Sequence, residues 1–281
     1  MRAMVTGSSG QLGKVLVALL GDQVVWSGGR AELDIRDGGA ASAIVREAHP
    51  DVVFNAAAYN GVDAAESDVS EALAVNATGP SHLARACREV GTLLVHISSD
   101  YVFDGAKNRP YEEEDWPRPL SAYGVSKLAG GLLVSASGCP HLLVRTSALF
   151  GEVGSRIKGG SFVDRIIARA RAGQPIRVVA DQTFSPTSVQ DLAGTLLALV
   201  ERGARGLFHV TNSGSCTWHE LAVASLEAVS LRVPVEAIRS ADLGAPARRP
   251  AYSVLSNARY CSLGLPALRH WREALTEYLR S

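Results

Sequence analysis

Arg2-Ala-Met-Val-Thr-Gly-Ser-Ser-Gly-Gln-Leu-Gly13 is the stretch that decides how the chain is read. Residues 2–5 are short and strand-like. Glycines 7, 10 and 13 follow at three-residue intervals, and residues 15–20 continue as an apolar helix. Glycines between a strand and a helix let the backbone approach a pyrophosphate closely. The helix N-terminus adds unpaired amides and a partial positive charge. An ordinary tight turn would use the same glycines, so the reading depends on its context.

The context alternates. Residues 23–27 read as a second strand, 37–49 as a helix, and 51–55 as a third strand ending in Ala56-Ala-Ala58. A helix is predicted over 69–90. The apolar run 93–97 then reads as a buried strand carrying Ser98, Ser99 and Asp100 to the same sheet edge. Strands alternating with helices give an α/β class, a doubly wound parallel sheet of the Rossmann kind. Further strands and helices are predicted at 141–146, 162–172, 176–179, 189–200 and 206–210. Thr217-Trp-His-Glu220 has the form of a capping box, and a last amphipathic helix is expected over 266–279. Residues 1–150 are expected to form the dinucleotide-binding domain. Residues 151–281 would form a smaller substrate-binding lobe, with part of the chain returning to the sheet.

Tyr123-Gly-Val-Ser-Lys127 would place a phenol and an ammonium four residues apart on one helix face. A phenol titrates near pH ~10, and a neighbouring ammonium favours the phenolate. A hydroxyl from Ser99 could hold a substrate oxygen against it, so Ser99, Tyr123 and Lys127 are the candidate proton-transfer set. The same spacing is common between surface neighbours. Its weight here comes from the strand ends that converge beside it.

The second strand ends in Gly28-Gly-Arg30, without the acid that usually selects a free 2′-hydroxyl. Arg30 is available to a 2′-phosphate, which favours NADPH with NADH left open; a solvated loop charge is the plainer alternative. Asp34 could cap the following helix or approach the adenine. The acidic run Glu112-Glu-Glu-Asp115 reads as a solvated surface loop. Arg248 and Arg249 could neutralise a diphosphate, or be surface arginines beside a proline.

With 281 residues, 47% of them hydrophobic, and a formal net charge of +0, nothing suggests nucleic acid or an acidic membrane as partner. Cys87, Cys139, Cys216 and Cys261 are widely spaced, as free thiols in a reducing compartment would be. The histidines lack metal-binding spacing, and no metal is expected. No leader-like basic segment precedes residue 2, and no apolar run approaches the roughly 18 residues of a membrane span. A cytoplasmic protein is expected, with a homodimer left open.

These residues resemble the extended short-chain dehydrogenases/reductases, and within them the dTDP-4-dehydrorhamnose reductase family. The resemblance is carried by Thr6-Gly-x-x-Gly-Gln-Leu-Gly13, Glu32-Leu-Asp-Ile35, Asn55-Ala-Ala-Ala-Tyr59 with Val62-Asp63 and Glu66, and Ser98-Ser-Asp-Tyr-Val-Phe-Asp-Gly105. It continues through Tyr123-Gly-x-x-Lys127-Leu-Ala-Gly130, Arg145-Thr-Ser147, Ser185-Pro-Thr187 with Asp191-Leu-Ala193, and Arg249-Pro250. It implies hydride transfer from a nicotinamide to the C4 ketone of a nucleotide-linked 4-keto-6-deoxy sugar. On this resemblance Tyr123 donates the proton. Lys127 holds the nicotinamide ribose and lowers the tyrosine pKa, and Ser99 binds the ketone oxygen. Asp100, Ala148 and Arg249 face the substrate. Gly7, Gly10, Gln11 and Leu12 serve the pyrophosphate, Asp34 and Ile35 the adenine end, and Ala58, Tyr59 and Asn60 the ribose and nicotinamide side.

Two positions depart from the family. Ala148 stands where tryptophan lines the sugar pocket, which opens the pocket and suggests an altered deoxysugar. Gly131 stands where glutamate is usual, which weakens the expected helix. The chain also resembles the regulatory beta subunits of methionine adenosyltransferase, through the Ser98–Gly105 stretch and Gly151-Glu-Val153. A non-catalytic NADP-binding subunit is the alternative reading. A dehydratase or epimerase ranks last, because Asp100 is followed by Tyr101 rather than a second acid.

Overall fold

Five strands carry the nucleotide half: β1 (Ala3–Thr6), β2 (Val24–Gly28), β3 (Val52–Asn55), β4 (Leu93–Ser99) and β5 (His141–Thr146). They belong to a computed structural model that describes residues 1–151 and 160–280. A sixth strand, Gly206–His209, joins β5, and all pairs are parallel. The spatial order is Gly206–His209, β5, β4, β3, β1, β2. Every residue of β1 and β3 is buried, as a parallel strand covered on both faces requires.

One face of the sheet is covered by α1 (Gln11–Leu20) and the helix Val189–Glu201. Leu12, Val15 and Leu16 meet Leu192, Leu196, Val5 and Phe54 there. The other face is covered by α2 (Gly38–Ala48) and the helices Gly79–Val90 and Ala122–Ala136. Their Val45, Leu83 and Val134 pack on Met4, Val53 and Leu94. Each such side chain contributes about 1.5–3 kcal/mol by leaving water. The connections diverge between β1 and β3: one leads through α1 to β2, and β3 continues toward β4 on the other side. A crevice opens at that point, beyond the C-terminal ends of the strands, where α/β sheets bind ligands.

A second core lies in the later part of the chain. Val163 and Ile166, Leu221 and Ala222, and Trp271 and Leu275 come from three helices, Phe162–Arg171, Trp218–Ala228 and Trp271–Arg280. They pack with the parallel pair Ile176–Val179 and Val235–Ile238. Thr217 and Glu220 form the capping box expected from their spacing, and Ser161 and Asp164 form another.

Four local expectations are corrected. The helix predicted over 69–90 is Val69–Leu73, a π-helical turn at Ala74–Thr78, and Gly79–Val90. Pro80 has no N–H for the Asn76 carbonyl four residues back, which loosens the turn there. That carbonyl instead faces Gly130, where a Cβ would come within 2.0 Å of it. The acidic run is not simply solvated: Glu113 is buried and accepts a hydrogen bond from the His209 amide at 2.7 Å. The last helix begins at Trp271, because the residues before it pair with Ser213 in a bridge. Finally, the helix Ala122–Ala136 runs unbroken through Gly131. A Cβ on Gly131 would meet Leu143 of β5 at 3.0 Å, so the missing side chain lets helix and sheet approach. Among the described residues, no helix is long and apolar enough to cross a membrane.

Candidate active site

The turn after β1 is built so that only glycine fits. Gly7 has φ 70°, and a Cβ there would sit 2.5 Å from the Ala57 amide nitrogen. At Gly13 it would sit 2.2 Å from the Gly7 carbonyl. α1 therefore begins close against the strand ends, with Gly10 as N-cap and no side chain capping its amides. Those amides and the positive end of the helix suit a pyrophosphate, so the residues present fit a dinucleotide.

Ser121 caps the helix Ala122–Ala136 by accepting from the Gly124 amide, and Glu66 accepts from Ala122 N at 2.8 Å. Tyr123 and Lys127 thus start the helix beside the end of β4, which delivers Ser99. Burial pushes the Tyr123 phenol up to about 12; the adjacent Ser99 hydroxyl opposes that rise and the Asp100 charge adds to it. Lys127 is 3% exposed, and burial lowers its ammonium to about 8. Its Nζ donates to the Ile97 carbonyl at 2.7 Å. The phenol is thus raised rather than lowered in this arrangement, because burial sets the direction of its shift. His96, buried beside Lys127, is held well below its usual range by burial and by that charge.

Asp100 sits differently from a simple sugar ligand. It borders the cavity, but its carboxylate accepts from three hydroxyls: Ser99 at 3.0 Å, Ser147 at 2.8 Å and Ser253 at 2.6 Å. Burial nonetheless raises its pKa, because three neutral donors do not replace water. Ser99 has one O–H, and here it goes to Asp100, while Ser99 Oγ accepts from the Tyr101 amide at 3.1 Å. Arg249 is also occupied. It grips both oxygens of Asp63 at 3.0 and 2.8 Å and donates to the Ala247 carbonyl at 2.9 Å. It does not border the cavity, although the adjacent Pro250 does; Arg248 is exposed.

The adenine-end residues form an ion cluster. Arg30, 68% exposed, lies 3.6 Å from Asp34 and 3.4 Å from Glu71. Arg36 bonds both acids and holds Asp34 at about 2. Asp34 does not cap α2; Asp37 does, accepting from the Ala40 amide at 2.9 Å. Ile35 points into the core against Gly79, so only its backbone is offered to a ligand. Tyr59 is held by its backbone: Asn76 accepts from its amide at 2.9 Å and donates to its carbonyl at 3.0 Å.

One cavity of about 410 Å³ joins the glycine turn to the Ser99, Tyr123 and Lys127 set; Arg30, Asp34, Ile35 and Tyr59 do not border it. Gly10, Gln11, Leu12, Ala58 and Asn60 border one end, and Ser99, Tyr123 and Lys127 the middle. Ala148, Gln182, Thr183, Phe184 and Trp218 border the other. The last four were not singled out from the sequence. Trp218 carried a signal, since it opens a capped helix in the lobe expected to hold substrate. Asn76 was also missed; the proline four residues on was its signal. Glu152 and Val153, part of the regulatory-subunit resemblance, lie outside the described residues.

Comparison with known proteins agrees with this geometry. All of residues 1–281 match the family described as RmlD substrate binding domain. A dTDP-4-dehydrorhamnose reductase of Streptomyces griseus is 41% identical over 285 residues, covering 98% of this chain and 92% of that protein. One of Mycobacterium tuberculosis (strain ATCC 25618 / H37Rv) is 43% identical over 291 residues, covering 99% and 92%. The crystal structure of a Bacillus anthracis dTDP-4-dehydrorhamnose reductase in complex with NADP superposes with a TM-score of 0.95 at 34% identity, covering 99% of this chain and 98% of that one. With the glycine turn, the Ser99–Tyr123–Lys127 set and the whole length matched, this chain belongs to the RmlD family of dTDP-4-dehydrorhamnose reductase-like proteins.

Proposed function

We propose that the protein reduces the C4 ketone of a nucleotide-linked 4-keto-6-deoxy sugar, using NADPH, with NADH as a second donor. The observation that carries this is the single cavity in which Ser99, Tyr123 and Lys127 lie between a pyrophosphate-type turn and an aromatic wall. The bound nicotinamide supplies the hydride. Tyr123 gives its phenolic proton to the oxygen as negative charge builds there; a phenol near 12 holds that proton until an alkoxide-like base forms. Ser99 turns its O–H from Asp100 to the same oxygen, while Ser147 and Ser253 keep the carboxylate. Lys127, charged below about pH 8, stabilises the phenolate left on Tyr123. Its remaining N–H donors suit a ribose hydroxyl.

Residues 1–150 serve the cofactor and 151–281 the sugar nucleotide, with Gly206–His209 returning to the sheet. A homodimer is supported by Val125, Leu132 and Leu133, exposed apolar side chains on the helix Ala122–Ala136. Cytoplasmic residence is supported by four free cysteines.

Tyr123→Phe tests the reading. Consumption of NADPH absorbance with a dTDP-4-keto-6-deoxyhexose should vanish, while cofactor affinity stays within about twofold. Undiminished turnover would remove Tyr123 as proton donor. Wild-type protein that binds NADPH, reduces no keto sugar and co-purifies with an enzyme would establish the regulatory alternative.

A further inference from the structure

The substrate end of the cavity pairs a low wall with a rigid aromatic one. Ala148 follows Ser147, whose hydroxyl is bound to Asp100, so it lies next to the hydroxyl group around Ser99. Its backbone is left-handed, with φ 41°, a conformation that residues bearing a Cβ seldom adopt. Only a methyl group projects from it. Trp218, Phe162 and Ala148 lie against the same second core.

Trp218 is fixed three ways. It is the first residue of a helix held by the Thr217–Glu220 capping box. Its ring packs on Phe184, with centroids 4.1 Å apart, and on Phe162, at 4.7 Å. What the two phenyl rings leave uncovered borders the cavity. An aromatic face beside a cluster of hydroxyls is suited to a pyranose: the hydroxyls meet sugar oxygens, and the electron-rich face meets polarised C–H groups. Where that face meets C6, a methyl fits. A hydroxymethyl would bury an oxygen without a partner.

We infer that Trp218 is a specificity-determining residue whose indole packs on the apolar face and C6 methyl of the sugar, selecting 6-deoxy over 6-hydroxy substrates. The role deepens the proposed function and rests on it for the substrate class. Ala148 leaves the room the sugar needs, and the aromatic surface comes from the lobe helix instead.

The test is a binding measurement on a matched pair, dTDP-6-deoxy-D-glucose and dTDP-D-glucose, which differ only at C6, with dTDP alone as control. Calorimetry on the NADP-loaded protein should show the wild type preferring the 6-deoxy sugar by about tenfold. Trp218→Ala should abolish that preference, and Trp218→Phe should leave about a third of it. Affinity for dTDP should change less than about twofold in both. NADP affinity reports whether each variant folds; if the alanine variant does not, the phenylalanine variant decides. An unchanged C6 preference overturns the inference. So does an equal loss for dTDP and the sugar nucleotides, which would make Trp218 a nucleobase platform. Because binding needs no turnover, a protein that shows the C6 preference but reduces nothing would fail the reductase reading and keep this one.

Discussion

Replacing Lys127 with methionine should stabilise the protein at neutral pH while stopping turnover. Lys127 is 3% exposed, and burial lowers its pKa from the ordinary 10.5 to about 8. At pH 7 the folded chain therefore carries a charged group disfavoured by about 3 kcal/mol. Between about pH 8 and 10.5 the unfolded chain binds more protons than the folded one, so wild-type stability rises with pH across that window. Methionine has similar volume and no charge, so it escapes the penalty. It also loses the Nζ bond to the Ile97 carbonyl, 2.7 Å long, which is worth about 1.5–3 kcal/mol as a charge-assisted bond. The net gain at pH 7 is about 1 kcal/mol, or roughly 2–4 °C in Tm. Above the window the lysine is neutral in both states and the sign reverses. Urea or thermal unfolding of Lys127→Met and wild type from pH 7 to 11 checks this. A stability difference that stays flat across the window would refute the argument, because it would mean the buried ammonium carries no penalty. A variant clearly less stable at pH 7 would do the same.

Arg30→Ala should raise the KM for NADPH about tenfold or more, the value of one charge-assisted contact, and leave NADH within about twofold. Equal effects on both cofactors would make Arg30 a loop charge only. Arg249→Met breaks the bidentate pair with Asp63. The arginine side chain is 15% exposed but Asp63 is 46% exposed, so solvent screening limits the loss to about 1–2 kcal/mol. Tm should fall by roughly 2–6 °C, with little change in sugar-nucleotide KM. A large rise in KM at unchanged Tm would return Arg249 to the substrate diphosphate.

The alternation that defines the sheet was legible because strand and helix periods are local, as was the glycine turn at 7, 10 and 13. The Thr217 capping box and the Tyr123–Lys127 spacing needed only neighbouring residues. What stayed hidden depends on partners far along the chain. Asp100 looked like an open acid, yet its hydroxyl donors lie at 99, 147 and 253. Arg249 looked free, yet it is matched to Asp63, 186 residues away. Glu113 looked solvated until His209 arrived from the sixth strand. Direction was equally illegible: spacing put Lys127 on the face of Tyr123, but not its Nζ on the Ile97 carbonyl. Cofactor class and reaction type came from motif and resemblance together, and the aromatic wall at the end of the cavity that Ala148 borders came only from the packing of Trp218.

The outermost strand of the sheet, Gly206–His209, is lent by the far half of the chain. A polypeptide severed after residue 150 would leave β5 with an open row of amides and carbonyls along residues 142–145, an invitation to stick to other strands. It would also strip Leu192 and Leu196 from α1. Shuffling substrate preferences among relatives is therefore not a single splice. A viable chimera must keep Val189–Glu201 and Gly206–His209 with the nucleotide half and exchange the flanking pieces around them. Selection is thus pushed to alter specificity one wall residue at a time rather than by trading lobes.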